Sequence, residues 1–511
     1  MLKPILFMLG MSLSAGSVYA QYLDSSFAAT GIAATTFTGN NEVAAKVLVQ
    51  TDGKILAGGT TNGNAGHTQF VLARYDTAGV LDNTFGTAGK VITPHGGTDN
   101  QLTDMILLSS GKILAVGIAK TGSFSPWSTM LVRYNANGTV DNTFGTAGVV
   151  TTQVGTKCDA YNVKVQTDGK IIICGTQYDD QYYILVRYNA DGTLDNSFGT
   201  AGVAEAVAMG TGMAIALQPD GKILVTGEFW GVGPHVGIAR HNTDGSLDAS
   251  FGFNGTRVIP SFYQDDLWGG YDVKVLPDGK ILVPLFLNSN TIAQEPAIIR
   301  LNSDGMTDMS YGNGGYAFGP YSNFIEKGVE MAVQPDGKVL LAGHVQANNA
   351  NVKDSMFVMR FDTSGAPDPT FGVNGRITAR PDTGGTRIST IALQPNGKFL
   401  VAGSHGNANF KRFTVMRYKY VPDVNLSVPG TEPATHPLVL FPNPATEEIS
   451  LQVTNQQPAP ATITDISGRL ITRQLVSSGK NAINIKTLPK GSYIISVEQN
   501  GTKHSALFEK L

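Results

Sequence analysis

From about residue 30 to residue 418 the chain is a succession of short apolar runs cut by breaks rich in Gly, Asp, Asn, Thr and Ser. The runs favour Val, Ile, Leu, Tyr and Phe and have the length of strands. No window sustains the 3.6-residue period of an amphipathic helix. The segment from 90 to 135 shows the unit. "KVITP" (90–94), "DMILLSS" (104–110), "KILAVGI" (112–118) and "TMLVRYN" (129–135) each read as one strand. The second and third are joined by a Gly-Lys turn. An Asp-Gly or Ser-Gly at that point predicts a tight hairpin in which Gly takes a positive φ.

This unit repeats. "QTDGKIL" returns as "SSGKIL", "QTDGKII", "QPDGKIL", "LPDGKIL", "QPDGKVL" and "QPNGKFL", with glycines at 53, 111, 169, 221, 279, 337 and 397. The steps are 58, 58, 52, 58, 58 and 60 residues. A second phrase, Arg usually followed by an aromatic, falls at Arg74, Arg133, Arg187, Arg240, Arg300, Arg360 and Arg417. A third, LDxSF, ends at Phe27, Phe85, Phe144, Phe198, Phe251, Tyr311 and Phe371. A single four-stranded sheet leaves both faces wet. Seven of them stacked radially bury those faces and protect their edges. The expected fold class is therefore all-β: a seven-bladed β-propeller of four-stranded blades over 21–420. An open solenoid would need atypical end caps, which the sequence does not show.

The phase of the repeat carries more information. Six Arg residues are followed eight positions later by an Asp: Arg74/Asp82, Arg133/Asp141, Arg187/Asp195, Arg240/Asp248, Arg300/Asp308 and Arg360/Asp368. Asp24 has no Arg before it and Arg417 no Asp after it. A closed ring would bring these two halves together, each Arg meeting its carboxylate through a bidentate fork.

Composition narrows the class. Net charge is −3 with charged residues at 15 %, and no basic stripe marks a nucleic-acid partner. Residues 1–20 have a Lys3 n-region, an apolar core and small residues before Gln21, the pattern of a secretory signal peptide. No later stretch is apolar for long enough to form a membrane span. The hairpin turn at Gly169 puts Cys174 opposite about residue 163. Cys158 then lies roughly 16 Å away along the strand, beyond disulfide reach. Cys174 reads as a small core residue.

With its "DGK", "RYNADG" and "LDNSFGTAG" phrases recurring in order, the stretch 22–420 resembles the delta-60 repeat family. That resemblance implies no catalytic residue to carry over. Repeat five departs most, with Pro284 interrupting its third strand and Leu301 replacing the aromatic.

Beyond Tyr420 the texture changes. Residues 421–436 are Pro-rich and polar, a linker. The segment 437–511 shows alternation at Ile449, Leu451, Val453 and at Ile483, Ile485, which predicts a small Ig-like β-sandwich. It carries "FPNPA" (Phe441, Pro442, Asn443, Pro444), "DISGRLI" (with Asp465, Gly468 and Arg469), Gly479, and "LPKGSYIISV" (with Gly491 and Tyr493). In these motifs it resembles the type A C-terminal sorting domain of the type IX (Por) secretion system. The resemblance implies Sec export to the periplasm, then type IX passage across the outer membrane. The product would be released or held at the cell surface, with the secretion machinery as partner.

Candidate chemistry is sparse. No HExxH, GxSxG, P-loop or CxxC occurs. "NADGTLD" (189–195) has too few acidic positions for calcium and reads as an Asx-turn. His344 and His405 read as ordinary loop histidines. No metal or cofactor is expected. Strand alternation places the Gly-Lys turns and LDxSF connections on one propeller face, and the remaining, irregular loops on the other. The irregular set holds Trp127, Trp230 and Trp268, with Tyr263, Asp265 and Asp266 beside the last. Aromatics with acids suit a glycan or peptide. The expectation is a non-catalytic binding or scaffold propeller whose ligand is a glycan or another surface protein. The alternative is a polysaccharide lyase or glycoside hydrolase.

Overall fold

A computed structural model of the chain describes residues 22–39, 41–62, 67–93, 99–120, 126–231, 233–259, 266–288, 295–320, 325–346, 354–379, 385–407, 410–419, 440–441, 445–453, 458–465, 470–499 and 502–510. The predicted signal peptide (1–20) and linker (421–436) lie outside these. The chain divides into two compact units between Val424 and Asn425. Among the described residues all regular structure is strand.

The first unit is a ring of seven antiparallel blades. Blade one runs from inside outward as Glu42–Val49, Ile55–Asn62, Thr68–Tyr75 and Lys90–Thr93. Its inner strand packs on that of blade two, Asp99–Leu107. The order continues through Cys158–Val165, Ala214–Leu217, Lys274–Val275, Ile325–Val333 and Gly385–Leu393, which packs back on Glu42–Val49. The blade differs from the sequence unit by one strand. Lys90–Thr93, from the segment read as the first strand of the second repeat, is the outermost strand of the first blade, with Val71 opposite Ile92. The reason is local. The LDxSFGxxG connection folds back at once, Asp82 N donating to Arg74 O at 2.8 Å and Arg74 N to Gly89 O at 3.0 Å. The chain that follows can only pair with the strand it has just left.

Blade seven therefore lacks a fourth strand of its own, and the N-terminus supplies it. Ile32–Thr35 pairs with Lys411–Tyr418, Ile32 opposite Met416 and Thr35 opposite Phe413. Closure protects sheet edges that an open array would expose. The Thr35 hydroxyl also meets the Tyr75 hydroxyl of blade one at 2.6 Å, buried.

Pro284 does not interrupt its strand. Ile281–Asn288 is continuous, with Pro284 opposite Ile298. Pro284 O accepts from Gly270 N on the inner side. In an antiparallel ladder a residue's N and O face the same neighbour, so the missing N–H falls on the inner side as well. There the inner strand is split into Asp266–Gly269 and Lys274–Val275. Leu301 fills the aromatic slot and is fully buried.

Cys158 faces Gln177, and Cys174 faces Asn162, one place from the expected 163 because the hairpin centres on Asp168, with Val165 opposite Ile171. Both thiols are free and buried. His344 and His405 are strand residues rather than loop residues, within Val339–Gln346 and Phe399–Gly406. His405 is buried and pairs through Nδ1 with the Thr386 hydroxyl at 2.9 Å.

The second unit comprises a three-stranded sheet (Leu440–Phe441, Glu448–Val453, Gly479–Asn484) and a four-stranded one (Leu470–Val476, Ala459–Asp465, Gly491–Gln499, Thr502–Lys510). Ile449, Leu451, Ile463, Ile483, Ile495 and Phe508 form its core. Phe441 lies opposite Ser450, Asp465 opposite Tyr493, Gly479 opposite Val453, and Gly491 opposite Lys510. The Tyr493 hydroxyl donates to Pro489 O at 2.9 Å. Pro442, Asn443, Pro444, Gly468 and Arg469 lie outside the described residues.

Candidate functional site: the axial cavity and its polar belt

The three repeated phrases meet in one cluster per blade. In blade one, Arg74 Nε reaches Asp82 Oδ2 at 2.9 Å, and Lys54 of the Gly-Lys turn reaches the same oxygen at 3.0 Å. Thr84 donates to Asp82 Oδ1. The guanidinium lies over the buried Phe85 ring, 4.6 Å from its centroid. The expected bidentate fork is not used. Arg74 gives Nε to the carboxylate, Nη2 to Thr84 and Nη1 to Ala136 O of blade two. One side chain thus joins its own turn to the next blade. The turn lysine was not anticipated, because "DGK" already had a sufficient reading as a hairpin. The NADG segment is an Asx-turn as expected, Asp191 Oδ1 accepting from Thr193 N and Oγ1 at 2.9 and 2.7 Å.

A second ring surrounds the axis. The inner strands of blades one, two, three, six and seven each carry a bulge at the same depth, so that Lys46, Asp104, Asn162, Glu330 and Thr390 resume the ladder. In blade four the ladder begins only at Ala214, and in blade five it breaks before Asp272. Each inner strand is the edge of its blade and turns every second backbone N–H toward the axis, and a side chain of the preceding blade satisfies one of them. Asp104 Oδ2 accepts from Val163 N at 3.1 Å, and Asn162 Oδ1 from Ile215 N at 3.3 Å. Asp272 Oδ2 accepts from Met331 N at 2.9 Å, and Glu330 Oε2 from Ile391 N at 3.0 Å. Thr390 Oγ1 faces Val47 N across the ring closure at 3.5 Å.

Charges in this belt are compensated. Lys46 donates to Glu330 and lies 3.5 Å from Asp104 Oδ1. Burial alone would lower its pKa, but Glu330 and Asp104 override it and hold the ammonium well above the ordinary lysine value. Glu330 would be raised by burial, yet Lys46 and Lys274 bring its carboxyl down to about 2. Lys274 pairs with Asp272 at 2.9 Å. Lys164 is half-buried, and desolvation chiefly lowers its pKa while it donates to Asn162 Oδ1 at 2.8 Å.

Inside the belt lies a cavity of about 330 Å³. Lys46, Asp104 and Glu330 line it, as do Tyr161 and Tyr271, which sit on the two blades flanking blade four. Tyr161 donates to Asp159 Oδ2 at 2.9 Å, and Tyr178 reaches the same oxygen at 2.6 Å. Tyr271 donates to Glu228 Oε1 at 3.2 Å. Burial, reinforced by these neighbouring carboxylates, raises both phenols.

The tryptophans behave differently from the sequence reading, which placed them in loops. Trp127 opens the strand Trp127–Tyr134, and its ring covers the Lys157 ammonium, 4.0 Å from the centroid; Tyr178 covers the other side at 4.0 Å. Trp230 belongs to Ile223–Gly231, and Trp268 and Asp266 to Asp266–Gly269. Strand there is favoured because each segment continues the ladder of its hairpin partner, Trp230 opposite Pro234 and Trp268 opposite Phe286. The side chains of Trp230, Trp268 and Asp266, and the whole of Tyr263 and Asp265, lie outside the described residues. Tyr161 and Tyr271 were missed because each occupies a position held elsewhere by Ala45, Thr103 or Ser389. The signal available was their constant distance before the turn glycine.

Two family models match the chain. The "Domain of unknown function (DUF5122) beta-propeller" matches residues 50–85, 108–144, 166–198, 218–251 and 334–371. The "Secretion system C-terminal sorting domain" matches 439–508. No curated protein matches. Among solved structures, a polysaccharide lyase described as an ulvan lyase aligns at 11 % identity and a TM-score of 0.41, covering 75 % of this chain and 95 % of its own. A protein of unknown function from Dyadobacter fermentans aligns at 11 % and 0.38, covering 76 % and 99 %. A putative glucose dehydrogenase from Thermus thermophilus aligns at 12 % and 0.36, covering 61 % and 93 %. At these scores none of the three bears on function. The chain is a propeller of DUF5122 repeats followed by a member of the secretion-system C-terminal sorting domains.

Proposed function

We propose that this is an exported binding propeller. Type IX secretion delivers it through the C-terminal domain, after Sec export, to the cell surface or the medium. There the propeller holds a ligand in its axial cavity without chemical change. The match of residues 439–508 to the sorting-domain family supports export. The observation that carries the binding half is the cavity itself, enclosed by seven blades and lined by two tyrosines and a charge-compensated polar ring. Binding is favoured over catalysis because Asp104, Asp272 and Glu330 already serve as acceptors for backbone amides of the next blade. A general acid or base must be free to exchange its proton. Among the described residues no helix is long and apolar enough to cross a membrane.

The test is fractionation of cells producing the full chain and a variant ending at residue 436. The full chain is expected at the surface or in the medium, and the truncated one in the periplasm as a folded propeller. Surface delivery of the truncated form would remove the basis for export by this route.

A further inference from the structure

We infer that the axial cavity is a site for a neutral sugar, one or two pyranose rings of a glycan end entering along the propeller axis. The inference rests on the binding reading above and adds the chemical class of ligand. Its basis is the asymmetry of the cavity wall. Blades three and five place Tyr161 and Tyr271 at the same position, eight residues before the turn glycine, on either side of blade four. Each hydroxyl is engaged with a carboxylate, Asp159 or Glu228, so the rings are held in place before any ligand arrives. Across the ring, blades one, six and seven present Lys46, Glu330 and Ser389. One arc is thus aromatic and the other an array of donors and acceptors.

A pyranose has the matching two-sided chemistry: a C–H face that lies on an aromatic ring, and an edge of hydroxyls that both donate and accept. Charge selects the neutral form. Lys46 stands between Glu330 and Asp104, so a ligand carboxylate approaching the ammonium meets two carboxylates beside it. A cationic ligand meets Lys46 itself. The volume of about 330 Å³ lies at the small end of ligand pockets. It admits a chain end rather than a polymer lying across it.

The experiment is saturation-transfer NMR and calorimetry on the full mature chain. The probes are the methyl glycosides of glucose, galactose, mannose and rhamnose, the corresponding disaccharides, and methyl glucuronide. Binding of at least one neutral glycoside, with the glucuronide weaker, is expected. Tyr161→Ala and Tyr271→Ala should each weaken binding about tenfold, as loss of a stacking ring does, whereas Tyr161→Phe should change it little. Ser389→Trp, which fills the cavity from the opposite wall without removing any group of the belt, should abolish binding and keeps the test valid if an alanine variant misfolds. Sugar binding unaffected by Ser389→Trp would overturn the axial site. Failure of every neutral glycoside to bind would overturn the sugar class. In that case, capture of a protein or anionic ligand that Ser389→Trp blocks leaves the binding propeller standing. Capture of nothing on a broad ligand array removes both.

Discussion

Asp24 and Arg417 are 393 residues apart in sequence, and Arg417 Nε donates to Asp24 Oδ2 at 2.7 Å. Lys398 reaches the same oxygen at 2.7 Å, Ser26 takes Arg417 Nη2, and Arg417 lies over Phe27. This is the cluster of every other blade, assembled from the two ends of the propeller. Arg417 Nη1 then donates to Thr77 O, joining blade seven to blade one.

Replacing Asp24 with Ala leaves Arg417 and Lys398 uncompensated in a largely buried setting. A loss of about 3 kcal/mol is expected, as for one partner removed from a buried pair. Asp82→Ala strips the same contacts inside a covalently continuous turn. Urea unfolding of both variants should show similar losses but a lower m-value only for Asp24→Ala, because only there does one blade detach early. Equal m-values would mean that Ile32–Thr35 holds the closure without the ion pair.

Acid should unfold the propeller in two stages. Burial lowers the pKa of His241, whose Nε2 faces the Tyr183 hydroxyl at 2.9 Å and whose Nδ1 faces Gly245 O at 2.8 Å. The unfolded chain protonates this histidine first, so stability falls as pH drops below about 6.5. The cluster aspartates follow. Burial would raise them, but bonds from Lys, Ser or Thr and Arg outweigh it and hold Asp24, Asp82, Asp141, Asp195, Asp248 and Asp308 well below the usual carboxylate range, with Asp368 at about 2. Their contribution is complete above the unfolded value of about 4 and is lost as pH falls through the folded values. In a pH series of thermal melts, His241→Tyr, the residue of blades one, two, three and seven, should remove only the first stage.

The belt predicts a contrast at Asp272. Asp272→Leu orphans Met331 N and leaves Lys274 unpaired, a cost of about 3 kcal/mol. Asp272→Asn keeps an acceptor for the amide and should cost about half as much. Equal losses by chemical denaturation would show that the charge, not the amide bond, matters there.

Glycines with equal φ should differ in tolerance. Gly79 has φ of +85° and a Cβ there would lie 2.6 Å from the Phe27 ring, whereas Gly111 has φ of +79° with nothing nearer than 3.9 Å. Gly111→Ala should cost about 1 kcal/mol of backbone strain. Gly79→Ala should cost about 1–3 kcal/mol more, because the ring it strikes is closed in by the N-terminal cluster. Differential scanning calorimetry of the two variants makes the comparison.

Ring closure was legible because an incomplete phrase at each end of a repeat array implies a partner, and the chemistry of Arg and Asp says which. The Arg–Asp spacing was legible because the connection is short: eight residues return the chain to its own strand. What each Arg does beyond that was not, since its Nη1 contact falls 56–63 residues away in the examples at Arg187, Arg240 and Arg300. The tryptophans drew attention by rarity. Composition alone does not separate the end of a strand from a loop.

By itself the sequence determined the number of blades, their closure and the two-part organisation of the chain, because these rest on short-range phrases that recur and fold locally. It left open the boundary of a blade, since only pairing shows that Lys90–Thr93 completes the sheet before it. The axial belt and cavity were decided by tertiary structure. Lys46, Asp104, Asn162, Ala214, Asp272, Glu330 and Thr390 share a position but, apart from two Asp, not a residue type, so no repeat pattern announces them. They become one site because the seven inner strands converge on a common axis, where unlike side chains on successive blades complement one another and satisfy amides that the inner edges turn toward the axis.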